Sequence, residues 1–386
     1  MKDRKIYCLN NIAKVGTDNF RSGYTLIDSI DEAAGVLVRS ADMKEMSFPA
    51  GLRAIARAGA GVNNIPVDRC AEEGIAVFNT PGANANGVKE LALCALMLAS
   101  RDVVGGIEWA KTLTDDVAKA VEKGKSAYGG CEIAGKTLGV IGLGAIGGLV
   151  ANAATHLGMQ VVGCDPYLTV NAAWSLSRSV VKASSYEEIY KNADYITLHV
   201  PATPTTKNMI NRETISMMRD GVRIINLARA DLVDADALKE ALASGKIAAY
   251  VTDFPTEATQ GVKGIVSIPH LGACTEESED NCAVMAAHEL DEFLTTGNIK
   301  NSVNYPNVQL PVVPDTYRLC VMHKNIPNTL SHITSLVAAS GLNIENMANG
   351  SKGDYAYTIV ETKEPVNPAT VELISHNNGI IRVRAI

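Results

Sequence analysis

Three glycines stand in Gly142-Leu-Gly144-Ala-Ile-Gly147, directly after the apolar run Thr137-Leu-Gly-Val-Ile141 and ahead of a small-residue stretch from Gly148 to Leu157. On a strand–turn–helix the first glycine makes the tight turn, the second lets backbone approach a pyrophosphate, and the third permits close helix–strand packing. The helix N-terminus then offers unpaired N–H groups and the positive end of its dipole to the phosphates. Asp165 ends the next apolar run, 23 residues beyond Gly142. A carboxylate there accepts hydrogen bonds from ribose hydroxyls and repels a 2′-phosphate, so the pattern predicts a dinucleotide site that favours NAD over NADP.

Two further residues complete a chemistry. Arg229 follows the apolar run Ile224-Ile-Asn-Leu227, where a guanidinium would hold a carboxylate through two parallel hydrogen bonds. His270 ends Ile268-Pro-His270, and Glu257 lies 13 residues before it. Exchange of a hydride between nicotinamide and a 2-hydroxy acid needs a group that takes or gives the hydroxyl proton near neutral pH, and imidazole suits that task. A carboxylate against the ring would favour its charged form. His199, in Leu198-His-Val-Pro201, reads as structural or as a neighbour of the cofactor. His156, His288, His332 and His376 have helical contexts and no assigned chemistry.

These residues need strand ends to hold them. Short β-rich runs at Lys5–Leu9, Gly35–Val38, Leu52–Ala56 and Ile75–Phe78 alternate with helical patterns, which predicts βα units and a parallel sheet. A second series, Thr137–Ile141, Val161–Cys164, Tyr195–His199, Arg223–Leu227, Ile247–Asp253 and Gly264–Ile268, predicts a six-stranded doubly wound sheet. Between the two, Glu90–Ser100 is apolar all round, as a helix at a crossing between lobes would be. Thr275–Thr296 reads as a long helix returning to the first lobe, apolar at Cys282, Met285, Ala286, Leu290 and Phe293. Beyond a proline-rich linker at 306–316, strands at Tyr317–His323, Leu342–Ala348, Asp354–Glu361 and Ile380–Ala385, with helices from Pro327 and Pro368, give a βαββαβ order. The expected domains are 1–95 with 278–305, then 96–277, then 317–386.

Composition narrows the classes. A chain of 386 residues predicts two or three domains, and 47% hydrophobic against 20% charged residues excludes a disordered one. A net charge of −7 provides no field for a nucleic-acid backbone. The longest apolar run, Leu138–Thr155, is shorter than the roughly 20 residues of a spanning helix, and the N-terminus has no signal-peptide core. Eight cysteines without Cys-x-x-Cys or zinc spacing read as buried free thiols with no metal. A soluble cytoplasmic protein without membrane or nucleic-acid partners is expected.

Taken jointly, Arg57-Ala-Gly-Ala-Gly-Val-Asn-Asn64, Asn79-Thr-Pro-Gly-Ala-Asn84, the Gly142 fingerprint, the segment from Leu198 to Asn208, Ile225-Asn-Leu-Ala-Arg229, Asp253-Phe-Pro-Thr-Glu257 and Pro269-His270 resemble the D-isomer-specific 2-hydroxyacid dehydrogenases over nearly the whole chain. The resemblance implies a flavodoxin-like substrate lobe and a Rossmann NAD lobe, substrate in the cleft between them, and a homodimer or homotetramer. It implies that Arg229 orients the substrate carboxylate, His270 moves the proton and Glu257 supports His270. It adds Ala145, Ile146, His199, Pro201, Leu227, Ala228, Asp253, Gly272 and Ala273 to the cofactor's contacts. It also implies Arg39, Arg57, Gly61 and Val62 as substrate contacts, the arginine pair suiting the phosphate of D-3-phosphoglycerate. The βαββαβ unit resembles an ACT module, with His323, Asn325 and Asn343 at the positions that contact an L-serine effector. Asn328 replaces a usual glycine there, and Asp253 directly precedes Phe254 where relatives have one residue between. Other small acids (hydroxypyruvate, glyoxylate, 2-oxoglutarate) remain open as substrates. A non-catalytic NAD and amino-acid sensor is the alternative of another class.

Overall fold

The computed structural model describes residues 4–386, which form two compact units: the chain up to Asn84 together with Glu279–Ile386, and Ala85–Ser278. In the first unit, β1 (Arg4–Cys8), β2 (Tyr24–Ile27), β3 (Gly35–Val38), β4 (Ala54–Arg57) and β5 (Ala76–Phe78) form a parallel sheet in the order β2-β1-β3-β4-β5. This is the flavodoxin-like order. Side chains of β3 alternate between two cores: Leu37 joins Ile6, Ala54 and Phe78 on one face, and Val36 and Val38 join Ile55 and Val77 on the other. The long helix Glu276–Thr296 covers the first face through Ala286, Leu290 and Phe293. The sequence reading omits β2, an edge strand whose central Thr25 and Leu26 are exposed and carry no alternating pattern.

In the second unit, β6 (Thr137–Ile141), β7 (Gln160–Cys164), β8 (Val180–Lys182), β9 (Tyr195–Leu198), β10 (Val222–Asn226), β11 (Ile247–Thr252) and β12 (Ile265–Ser267) form a parallel sheet ordered β12-β11-β10-β9-β6-β7-β8. This is the doubly wound order with a switch point beside β6. It has seven strands where six are expected; the added β8 is a three-residue edge strand. The apolar helix runs Ala85–Ser100, and its Ala92, Ala95 and Leu96 share a core with Leu138, Val140, Ile225 and Val251. That shared core places residues 85–95 with the second unit instead of the first.

The C-terminal strands β13 (Tyr317–Lys324), β14 (Asn346–Lys352), β15 (Tyr355–Thr362) and β16 (Ile380–Ala385) form an antiparallel sheet ordered β14-β15-β13-β16, with helices Thr329–Ala339 and Pro368–Ser375. The hairpin turns at Gly353-Asp354, so β14 runs to Lys352, past the expected strand end at Ala348. Gly350 sits inside the strand because a Cβ there would lie 2.9 Å from Val308 and 3.1 Å from Pro306. Asn328, at φ 70°, occupies the left-handed region where glycine is usual and asparagine is the next best tolerated residue. The replacement therefore keeps the backbone geometry of that loop.

One face of this sheet, Leu319, Val321 and Val360, packs under the two helices. The other, Cys320, Met322, Tyr357 and Ile359, joins the core of the first sheet and the long helix. The segment expected as a linker is docked: Val308 is buried, and the carbonyls of Leu310 and Pro311 accept from Arg318 Nη2 at 3.0 and 2.7 Å. Arg318 also forms a buried ion pair with Glu361 at 2.7 Å and donates to Thr296 O. All its nitrogens are thus engaged, which is the condition for a buried guanidinium to be tolerated. The eight cysteines are free; Cys94 and Cys274 are exposed, against the expectation of burial.

Glu289, on the long helix, is buried, with Oε1 accepting from Asn301 Nδ2 at 2.7 Å and Oε2 without a partner. Burial pushes its carboxyl up to about 8. An unfolded chain releases this proton near pH ~4.3, so the native state binds more protons between there and about 8, and stability falls as pH rises through that window. Glu289→Gln is expected to flatten this fall, gaining on the order of 2 kcal/mol over the parent between pH ~5 and ~8. Thermal unfolding at the two pH values reads it; parallel pH slopes would remove Glu289 as the cause.

Candidate functional site

In the second unit every expected cofactor or catalytic residue follows the carboxyl end of a parallel strand: Gly142 after β6, Asp165 after β7, His199 after β9, Arg229 after β10, Asp253 after β11 and His270 after β12. Ligands bind at that edge in open α/β sheets, at the switch point. The glycines divide as their spacing implies. Gly142 has φ 89°, and a Cβ on Gly147 would lie 1.9 Å from Gly142 O, so both are required by packing. A Cβ on Gly144 would meet nothing within 4 Å. Gly144 is also the N-cap of helix Ala145–His156, so its open face adjoins the free N–H groups of Ala145, Ile146 and Gly147. That cradle fits a pyrophosphate.

Asp165 is half-buried beside this loop; Oδ2 accepts from Leu143 N at 2.9 Å and Oδ1 from Tyr167 N at 2.8 Å. Each oxygen keeps a lone pair for a ribose hydroxyl. Asp165→Ala is expected to weaken NAD about tenfold and to relax the preference over NADP, read by titrating both nucleotides. Asp165→Asn, which retains an acceptor for the loop, separates the ribose contact from loop support; an unchanged preference in both variants places the ribose contact elsewhere.

His199 Nε2 pairs with Thr197 Oγ1 at 2.9 Å, and burial pushes the ring down to about 4. It is neutral near pH 7 and lines the Gly142–Gly147 turn, with His199 O 2.5 Å from where a Gly142 Cβ would stand. Pro201 is exposed, and its carbonyl accepts from Thr206 Oγ1 at 2.6 Å. Leu227 is buried and Ala228 half-buried behind the Arg229 turn.

That turn is held by a residue the sequence reading passes over. Asn226 is fully buried; its Oδ1 accepts from the Ala228 and Arg229 N–H groups, and its Nδ2 donates to Arg229 O and to Tyr250 OH. The available signal was an amide at the end of an otherwise apolar strand. Arg229 itself is exposed, its guanidinium 5.5 Å from the centroid of Phe254. His270 lies on the same residue, with ring centroids 4.5 Å apart. Phe254, unassigned from sequence, thus joins the two candidate catalytic groups.

The expected Glu257–His270 pair is not formed. Glu257 is exposed, in a loop folded on the Thr256–Thr259 hydrogen bonds, and no hydrogen bond or ion pair links it to His270. The carboxylate nearest in effect is Asp253, buried, with Oδ2 accepting from Gly272 N at 3.3 Å and Oδ1 unpartnered. Burial holds its carboxyl above the ordinary range, opposed by the charges of His270 and Arg229. Asp253 ties β11 to the loop carrying His270, Gly272 and the half-buried Ala273.

In the first unit, Arg39 and Arg57 follow β3 and end β4. Arg57 is engaged by backbone: Nε donates to Arg39 O at 2.9 Å and Nη1 to Gly61 O at 2.5 Å. Arg39 pairs with Glu279 at 2.5 Å. The N–H groups of Gly61 and Val62 have no partner among the described residues and are available to an anion. The three effector positions have partners of their own. His323 is buried, its ring nitrogens paired with Thr358 Oγ1 and Lys324 O at 2.9 Å each. Asn325 donates to Gly353 O at 3.1 Å and Asn343 to Glu345 at 2.9 Å. No hydrogen bond joins these three to one another among the described residues. No helix among them is long and apolar enough to cross a membrane.

Residues 95–272 match the family model for the D-isomer specific 2-hydroxyacid dehydrogenase NAD binding domain. The D-3-phosphoglycerate dehydrogenase of Methanocaldococcus jannaschii is 36% identical over 311 residues, 77% of this chain and 57% of that protein. The chain thus spans little more than half of that relative's length. The D-3-phosphoglycerate dehydrogenase of Haemophilus influenzae is 32% identical over 84% of this chain and 79% of its own length. Among solved structures, the NAD+-bound 3-phosphoglycerate dehydrogenase of Entamoeba histolytica is similar, with a TM-score of 0.60, 27% identity, and coverage of 78% of this chain and 99% of that one.

Proposed function

Because the chain belongs to the D-isomer-specific 2-hydroxyacid dehydrogenases, a family that uses NAD, we propose that it oxidises D-3-phosphoglycerate to 3-phosphohydroxypyruvate, the entry step of L-serine biosynthesis. The observation that carries the catalytic part is the sequence of Arg229, Asp253 and His270 at the carboxyl ends of the adjacent strands β10, β11 and β12, in the same unit as the open glycine cradle. NAD, which the Gly142–Gly147 cradle and Asp165 would hold, would supply the acceptor for the C2 hydride. Arg229 holds and orients the substrate carboxylate. His270 takes the hydroxyl proton, and Phe254, against both side chains, keeps them together. Glu257 supports His270 when substrate is bound, since catalytic contacts absent without ligand tighten in the complex. Arg39 and Arg57 take the phosphate, and the Gly61 and Val62 N–H groups an anionic oxygen.

A second reading, a dehydrogenase of an unphosphorylated 2-hydroxy acid, draws on the engagement of Arg39 by Glu279 and of Arg57 by backbone carbonyls. A non-catalytic sensor fits less well, because it has no use for Arg229, Glu257 and His270 together. We extend the proposal to the C-terminal module, read as an ACT domain whose Asn325, Asn343 and His323 face L-serine in a cytoplasmic homodimer or homotetramer. The test is NADH oxidation with 3-phosphohydroxypyruvate beside hydroxypyruvate and 2-oxoglutarate, each with and without L-serine. A kcat/KM at least tenfold higher for the phosphorylated acid supports the assignment, and equal or better use of the others sinks it. Inhibition by serine supports the effector site.

A further inference from the structure

The outer side of the long helix borders a cavity of about 470 Å³, inside the range that holds small organic molecules. Every residue lining it belongs to the first unit. Asn281, Val284, Met285, His288 and Glu292 recur there at helical spacing, and the loop after the helix adds Lys300 and Asn301. The wall includes Glu289, only 7% exposed, whose Oε1 is held by Asn301 while Oε2 has no partner among the described residues. The neighbouring acids are already committed: Asp291 pairs with Arg21 Nε at 2.8 Å, and Glu292 accepts from Asn298 Nδ2 at 2.8 Å. Lys300 is exposed, acts on Glu289 through its charge, and makes no ion pair or hydrogen bond among the described residues.

A buried acceptor without a partner carries a desolvation cost, which a charged donor offsets best. Among the described residues no group of three or more His, Cys, Asp or Glu side chains is placed to hold a metal ion, so the donor that fits is an organic ammonium. Arg21 and Lys300 disfavour a ligand that is only positive, and the unpaired Lys300 suits a carboxylate on the same molecule. Val284 and Met285, both half-buried, offer its side chain an apolar wall. We infer that this cavity binds a small zwitterion with an apolar side chain, its ammonium on Glu289 and its carboxylate on Lys300. The site shares no residue with the three effector positions of the C-terminal module, and nothing in it rests on the proposed activity. The titratable and charged groups around Glu289 are Arg21, His288, Asp291, Glu292 and Lys300. Burial keeps Glu289 protonated at pH 7, so an arriving ammonium ionises the carboxyl and the proton it carried leaves to solvent.

The test is titration calorimetry of the full chain with NAD present, at pH 7 in two buffers of different ionisation enthalpy, with L-leucine as the probe. Isopentylamine and 4-methylpentanoate, each carrying one of its two charges, are the comparison arms. Leucine is expected to bind with release of about one proton, and each single-charge analogue at least about tenfold more weakly. Glu289→Gln keeps a side-chain oxygen for Asn301, and should abolish the proton release and weaken leucine at least about tenfold. Lys300→Ala should erase the advantage of leucine over isopentylamine. Asn343→Ala, in the C-terminal module, should change neither the affinity nor the proton count. No binding of leucine, an unchanged proton count in Glu289→Gln, or binding lost in Asn343→Ala and kept in Glu289→Gln overturns the site.

Discussion

His270→Ala is expected to lower kcat by roughly 10² to 10⁴ while NAD binding stays within about twofold of the parent. The asymmetry follows from placement. The cradle at Gly142–Gly147 and the Asp165 carboxylate belong to β6 and β7, whereas His270 follows β12, at the far edge of the same sheet. Removing the imidazole takes away the group proposed to move the hydroxyl proton and a face of the Phe254 contact, and leaves the glycine turn untouched. Its charge also opposes the burial of Asp253, so the variant should hold that carboxyl protonated to higher pH. Near-normal turnover in steady-state assays, with the fold intact by circular dichroism, would remove His270 from the mechanism.

The second large effect is expected at Arg229. Alanine there should reduce kcat/KM by about 10³, near 4 kcal/mol, because the substrate carboxylate loses its proposed bidentate, charge-assisted partner. Arg229→Lys should recover only part of this, since an ammonium keeps the charge without the fork. The backbone turn is expected to survive both changes, because Asn226 holds it through main-chain atoms of Ala228 and Arg229 and not through the guanidinium. A loss below tenfold for Arg229→Ala, measured with the phosphorylated acid, would mean that another group anchors the carboxylate.

Local rules made much of this legible. Periodicity marked most of the strands, and the strand–glycine–helix pattern with Asp165 marked the cofactor because each of those residues acts through backbone conformation or through atoms a few positions away. Edge strands β2 and β8 were missed, since short, half-wet segments carry no period. The strand expected to end at Ala348 runs on through Gly350 to Lys352, because a glycine in a strand and one in a turn look alike until Pro306 and Val308 are seen against it.

The sequence by itself determined the two parallel-sheet units, the βαββαβ module, the dinucleotide cradle and the strand ends that carry Arg229 and His270. Tertiary structure alone decided which groups meet: Phe254 between Arg229 and His270, Asp253 tied to Gly272 in place of a Glu257 pair, and the C-terminal sheet packed on the long helix with Arg318 closing the seam. The physical reason is range. Backbone geometry and periodicity are set by neighbours along the chain, whereas burial, ion pairing and desolvation depend on residues that only the folded chain brings together, as Arg318 and Glu361 are across 43 positions.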